Sequence, residues 1–202
     1  MNVPSRGIRI SAPGDVWFFA YGSLMWDPGF TPAERRPAML HGYHRSFCVS
    51  SMLYRGTADD PGLVLGLDRG GSCRGYVLRI PENERGHVLG VLEEREMPEE
   101  IYICRRIRVT IDGGRLDAYT LVVDRGNELY AGGMTADDIA ATIVRSAGQR
   151  GPNRDYLANT VNHLDELGIA DGTMHRLLER VVAIAADDGT LQWDIVKGGR
   201  GK

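Results

Sequence analysis

Residues 101–123 read IYICRRIRVTIDGGRLDAYTLVV. Ile101, Ile103, Ile107, Val109 and Ile111 fall on alternate positions, the two-residue period of a strand with one apolar face. Asp112-Gly113-Gly114 breaks the pattern with residues suited to a tight reversal, and Leu116–Val123 resumes it. The stretch therefore predicts an antiparallel hairpin. Arg105 shares the apolar face. It either turns inward, where it could attract a substrate carboxylate, or reaches water at the end of a sheet.

Upstream, Val16–Tyr21 (VWFFAY) is a short apolar run suited to a buried strand, ended by Gly22-Ser23 and by the loop signals Pro28, Gly29 and Pro32. Tyr43–Ser51 has strand character. Leu63–Leu67, the turn signal Asp68-Arg69-Gly70-Gly71-Ser72 and Arg74–Ile80 together predict a second hairpin. Pro81 suits the first turn of a helix that carries His87–Leu92 and ends near Arg95. Downstream the period changes. Thr135 can cap a helix containing Ile139, Ile143 and Val144, and further helices are predicted over Asn153–Leu167 and Thr173–Ala186.

Strands first and helices last predict an α+β fold with an antiparallel sheet. Short strands and the turns implied by 26 glycines in 202 residues favour closure of that sheet into a small barrel. Residues 1–15 read as a loose leader, 16–186 as a single domain and 187–202 as a polar tail.

Composition narrows the function classes. A net charge of −3 gives no basic footprint, and Arg105, Arg106 and Arg108 lie within an apolar strand pattern, so no nucleic-acid partner is expected. No run of about 18 apolar residues exists, so no membrane span is expected. Cys48, Cys73 and Cys104 are odd in number and far apart, which argues against a disulfide framework or a cysteine metal site. Free thiols and the absence of a signal-like apolar run at the N-terminus predict a cytoplasmic protein. No phosphate-binding glycine loop or dinucleotide fingerprint appears. His41 and His44 lie in HGYHR, beside a glycine rather than on a helix face, and carry no metal site.

Two features can carry chemistry. Tyr21-Gly22-Ser23-Leu24 follows the first strand directly, and successive backbone N–H groups at such a turn can cradle an anion. Ser23 is not a nucleophile elbow, because Tyr21 and Met25 stand where that motif requires glycines. The second feature is the acidic run Glu93-Glu94-Arg95-Glu96, then Glu99 and Glu100. Most such runs are solvated, but one member in a partly apolar pocket could act as a general base.

At these residues the sequence resembles the ChaC-type γ-glutamylcyclotransferase family. Tyr21-Gly22-Ser23-Leu24-Met25-Trp26 with Pro28-Gly29-Phe30 is similar to the family's YGSLxWxPGF opening. Arg55-Gly56-Thr57 with Pro61-Gly62, Leu65–Gly75, Arg95-Glu96, Tyr130-Ala131-Gly132 and Gly151–Leu157 (GPNRDYL) resemble five further elements in the same order. The departures are Tyr54, Ala58, Met97 and the link Pro98-Glu99-Glu100-Ile101.

The resemblance implies a small, mostly antiparallel β-barrel flanked by helices. It also implies cleavage of a γ-glutamyl compound, usually glutathione, to 5-oxoproline and cysteinylglycine, with no cofactor and no metal. Glu96 is then the catalytic residue. Tyr21, Gly22, Ser23 and Leu24 bind the γ-glutamyl group, and Tyr130 lines the pocket. Two readings stay open beside it: the same chemistry on other γ-glutamyl amines or dipeptides, and a binding module that has lost the reaction.

Overall fold

A computed structural model describes residues 8–96 and 101–187. The expectations for residues 1–7, for the link 97–100 and for the tail from 188 onward lie outside the described residues. The chain divides into two compact units, one of residues 1–46 and 66–130, the other of 47–65 and 131–202.

The first unit is built on strands β1 (Val16–Ala20), β2 (Glu34–Ser51), β3 (Gly62–Ile80), β4 (Tyr102–Ile111) and β5 (Gly114–Val123), with helix α1 (Arg85–Glu96) between β3 and β4. Residues 47–51 of β2 and 62–65 of β3 belong to the second unit. The strands close into a barrel in the order β1-β3-β2-β4-β5. The expected hairpin is present: β4 and β5 pair antiparallel from Tyr102 opposite Val123 to Ile111 opposite Gly114. Only Asp112 and Gly113 lie between the strands, and Gly113 takes φ of 89°, as a two-residue reversal requires. Ile107 and Val109 are buried while Arg106 and Arg108 are exposed, so the alternation read from the sequence sorts the two faces. Phe19, Leu40, Leu67, Val77, Val109 and Val122 form the barrel core. Arg105 is exposed, so of its two readings the one in which its head reaches water holds.

The second predicted hairpin is absent. Residues 62–80 form one continuous strand. Gly70 and Gly71 do take positive φ, 104° and 65°, but the strand continues through them without reversing. Asp68, which reads as a turn residue, is buried at 6% exposure. Residues 8–15 form no helix or strand, but side chains of the first unit hold them. The Arg85 guanidinium donates to the carbonyls of Ala12 and Gly14, Arg79 donates to Asp15 at 2.6 Å, and Ile8 is buried.

The second unit contains helices α2 (Ala136–Arg145), α3 (Asn153–Glu166) and α4 (Gly172–Asp187), with a two-stranded ribbon of β6 (Ala147–Gly148) and β7 (Gly151–Pro152) before α3. Thr135 caps α2 as its sequence suggests, its hydroxyl accepting from the Asp138 N–H at 3.2 Å. Ile143, Leu157, Val161, Leu164, Leu177 and Val181 are buried. Among the described residues, no helix is long and apolar enough to cross a membrane.

Asn153, fully buried, holds this unit's backbone together. Its side-chain N–H donates to the Leu63 carbonyl at 2.7 Å and its side-chain oxygen accepts the Leu63 N–H at 2.7 Å. The amide thus pairs with a strand residue as another strand would. The same oxygen accepts from the Ser146 hydroxyl at 3.2 Å. Glycines let the chain close around it. A Cβ at Gly56 would lie 2.0 Å from the Gly62 nitrogen, and one at Gly62 would lie 2.1 Å from the Arg55 carbonyl oxygen. Arg55 donates to the Arg150 carbonyl at 2.5 Å, its guanidinium 4.9 Å from the Tyr156 ring.

Asn153→Ala leaves the Leu63 N–H and C=O buried without their partner, so we expect a loss of about 2–4 kcal/mol in urea-induced unfolding. A change below about 0.5 kcal/mol would show that Leu63 is satisfied without Asn153.

Candidate active site

The apolar strand β1 ends at Ala20, and the chain turns at once. Gly22 has φ of −126° and ψ of −137°, and Ser23–Met25 forms a single 3-10 turn with Leu24 and Met25 buried. The Met25 N–H donates to the Gly22 carbonyl at 2.9 Å, and the N–H groups of Trp26 and Asp27 both reach the Ser23 carbonyl. The N–H groups of Ser23 and Leu24 come before the first bond of the turn and have no acceptor within it. The turn is held from inside the barrel by Arg45 of β2, which is 2% exposed. Its Nε donates to the Tyr21 carbonyl at 2.5 Å, a terminal nitrogen donates to the Arg74 carbonyl, and the same nitrogen lies 3.7 Å from Met25 Sδ.

Topology brings the other candidates to this turn's end of the barrel. β1 and β5 run parallel, Phe18 opposite Tyr119, so the segments that follow them leave the barrel in the same direction. β4 is antiparallel to β5, so the chain arriving from α1 enters β4 at that same end. The Asp124 N–H donates to the Ile101 carbonyl there at 2.8 Å. Tyr21–Leu24, Glu96 and Tyr130 therefore gather at one end, all within the first unit.

Glu96 is the last residue of α1, its side chain 25% exposed, with Arg95 Nε 3.5 Å from its Oε1. Arg95 also reaches back to the loop after the 3-10 turn, its guanidinium 3.5 Å from Asp27 Oδ2. Gly29, at φ of 77°, allows this approach: a Cβ there would lie 3.1 Å from the Arg95 guanidinium and 3.2 Å from Val91 Cγ1. The last turn of α1 is thus docked on the loop that continues from Ser23.

Tyr130 is fixed by a buried carboxylate. Its hydroxyl donates to Asp68 Oδ2 at 2.9 Å. Asp68 Oδ1 accepts from Arg125 Nε at 2.7 Å and from the Arg69 N–H at 2.8 Å. Burial by itself would raise the Asp68 pKa. The hydrogen bonds from Arg125, Tyr130 and Arg69 outweigh it and hold the carboxyl below its ordinary value of 3.8.

Arg45, Asp68 and Arg125 are not among the residues singled out from the sequence. Alternation from Phe47 back through Arg45 to Tyr43 is the one signal that turns Arg45 inward. Asp68 is hidden by the glycines after it, which give it the look of a turn.

The ChaC-like protein profile matches residues 16–184. The chain is 35% identical over 183 residues to the glutathione-specific gamma-glutamylcyclotransferase of Escherichia coli (strain K12), covering 89% of this chain and 79% of that one. It is 32% identical over 190 residues to gamma-glutamylcyclotransferase 2-3 of Arabidopsis thaliana, covering 89% and 94%. A crystal structure of a yeast gamma-glutamyl cyclotransferase specific to glutathione aligns with a TM-score of 0.75 at 25% identity, over 84% of this chain and 99% of that one.

Because the Asp68 pKa is lower in the folded chain than in the unfolded one, its contribution to stability is complete above the ordinary value of 3.8 and disappears as the pH falls through the folded-state value. Asp68→Asn should therefore cost about 1–3 kcal/mol near pH 7. The gap from the parent protein should narrow as denaturant curves are taken to lower pH. A gap that does not change with pH would contradict an ionised Asp68 in this network.

Proposed function

The chain belongs to the ChaC-like protein family, and on that premise we propose that it is a γ-glutamylcyclotransferase that cleaves glutathione to 5-oxoproline and cysteinylglycine. The observation that carries the reading is the gathering of the Tyr21–Leu24 turn and the end of α1, with Glu96, at one end of the barrel. The similar E. coli and yeast proteins are named for glutathione.

The substrate supplies its own nucleophile. The α-amine of the γ-glutamyl group attacks the γ-carbonyl carbon, a five-membered ring forms, and the amide C–N bond to cysteinylglycine breaks. At neutral pH the amine is held as an ammonium, so a base must remove its proton before attack and an acid must protonate the departing nitrogen. Glu96 takes the first proton and returns it to the leaving nitrogen, and the second proton, left on the ring nitrogen by the attack, passes to the departing amine, which leaves as an ammonium; such general acid–base work contributes about 10²–10⁴-fold. Holding the chain in the ring-closing pose adds a proximity term.

The Ser23 and Leu24 N–H groups suit an anionic acceptor, either the substrate's α-carboxylate or the oxygen of the tetrahedral intermediate. Tyr130 has committed its proton to Asp68, so it offers an incoming group only lone pairs, which suits the substrate's ammonium. The reaction is assigned to the cytoplasm, with a small-molecule substrate. The odd number and wide spacing of Cys48, Cys73 and Cys104 in the sequence suit a compartment that keeps thiols reduced.

A second reading, the same ring closure on other γ-glutamyl amines or dipeptides, is favoured by one observation. The 32%-identical Arabidopsis relative is named without reference to glutathione. A panel of γ-glutamyl compounds scored by 5-oxoproline release separates the two.

Glu96→Gln keeps the side-chain shape and removes the base. We expect 5-oxoproline release from glutathione to fall by about 10²-fold or more with the protein still folded. Ser23→Ala should reduce the rate without abolishing it. Near-parental turnover by Glu96→Gln would overturn the assignment of the base, and covalent labelling of Ser23 by a serine-directed phosphonate would favour hydrolase chemistry.

A further inference from the structure

We propose that Arg45 is a positioning residue for this reaction. Its buried guanidinium fixes the course of the Tyr21–Met25 turn by holding the Tyr21 carbonyl at one end and Met25 at the other. The inference rests on the cyclotransferase reading and assigns a role to a residue that touches no substrate.

The first argument is geometric. A peptide unit is planar and trans, so a carbonyl and the N–H of the next residue point in opposite directions. The Tyr21 carbonyl points inward to Arg45 Nε, 2.5 Å away. The Gly22 N–H is therefore directed away from Arg45, and the course of the chain into Ser23 and Leu24 is set by that orientation. Rotating that peptide would break the bond to Arg45 and turn the N–H inward. The same guanidinium reaches Arg74 of β3 and Met25 at the far end of the turn, so both ends of the turn are referred to one rigid group. The neighbouring chain is equally constrained, since a Cβ at Gly75 would lie 2.3 Å from the Ala20 carbonyl oxygen.

The second argument is electrostatic. Burying a guanidinium is costly, and well-packed apolar residues often stabilise such a position as well or better. Arg45 is the largest of the fully buried side chains in the described residues, so holding the barrel together is a weak reason for a charge there. Arginine also suits the geometry better than lysine, because its planar fork can meet two carbonyls at once.

The test measures steady-state kinetics on glutathione and calorimetric affinity for 5-oxoproline in Arg45→Met and Arg45→Lys. Circular dichroism and a thermal melt establish that each variant is folded. We expect Arg45→Met to raise KM and to weaken 5-oxoproline binding by about 10-fold or more, with kcat falling less. Arg45→Lys, which keeps the charge and loses the fork, should lie between Arg45→Met and the parent. Unchanged KM and 5-oxoproline affinity in a folded Arg45→Met with a lowered melting temperature would reduce Arg45 to a packing role and overturn the proposal. If Arg45→Met does not fold, Arg45→Lys decides: a KM raised by about threefold or more supports the proposal, and a parental KM overturns it. Failure of the underlying reading looks different, because the parent protein itself would then release no 5-oxoproline from glutathione.

Discussion

Where β1 meets β5 the two strands run in the same direction, Phe18 opposite Tyr119. The pairs β1–β3, β2–β4 and β4–β5 are antiparallel. The fully buried Thr120 hydroxyl reinforces the closure, donating to the Phe19 carbonyl at 2.9 Å. Had β5 run the other way, the segment after it would leave from the end opposite the Tyr21–Leu24 turn, and Tyr130 would be separated from that turn by the length of the barrel. The parallel pairing also fixes where α1 delivers Glu96, because β4 must begin beside the end of β5. One strand direction thus decides whether the candidate groups can act on one molecule.

The elements shared with the family fall into two physical kinds. Those of the first unit, the turn after β1, the end of α1 and Tyr130, are the ones to which the proposed mechanism assigns contact with substrate. Those of the second unit let backbone approach backbone. Gly56 and Gly62 occupy places where a Cβ would overlap main-chain atoms, and Asn153 supplies to Leu63 the bonds that a neighbouring strand would otherwise make. A substitution at Gly56 or Asn153 therefore acts through folding, whereas one at Glu96 acts, under the proposed mechanism, through chemistry. Arg45 and Asp68 lie between these cases. Both are buried and charged, Arg45 bonded to the Tyr21 carbonyl and Asp68 to the Tyr130 hydroxyl.

Much of this is written locally in the chain. The hairpin of β4 and β5 follows from alternation around Asp112-Gly113, and the three helices of the second unit follow from period and from the Thr135 cap, because short-range rules determine such elements. The misreadings occur where a distant residue sets the outcome. Asp68-Arg69-Gly70-Gly71 has turn composition, yet Arg125 and Tyr130, more than fifty residues away in sequence, supply partners to a buried Asp68 within a continuous strand. Residues 8–15 look loose until Arg79 and Arg85 are brought against them. Glu96 and the Tyr21–Leu24 turn were legible through family resemblance; the bonds from Arg45 to that turn were not, because nothing local links position 45 to position 21.

The central claim is that the substrate's own amine, and not water, displaces cysteinylglycine. Incubating the purified protein with glutathione in ¹⁸O-labelled water and identifying the products tests this directly. The account predicts equimolar 5-oxoproline and cysteinylglycine with no label in the ring carbonyl. Release of glutamate carrying the label would mean hydrolysis, and would contradict the account at its base.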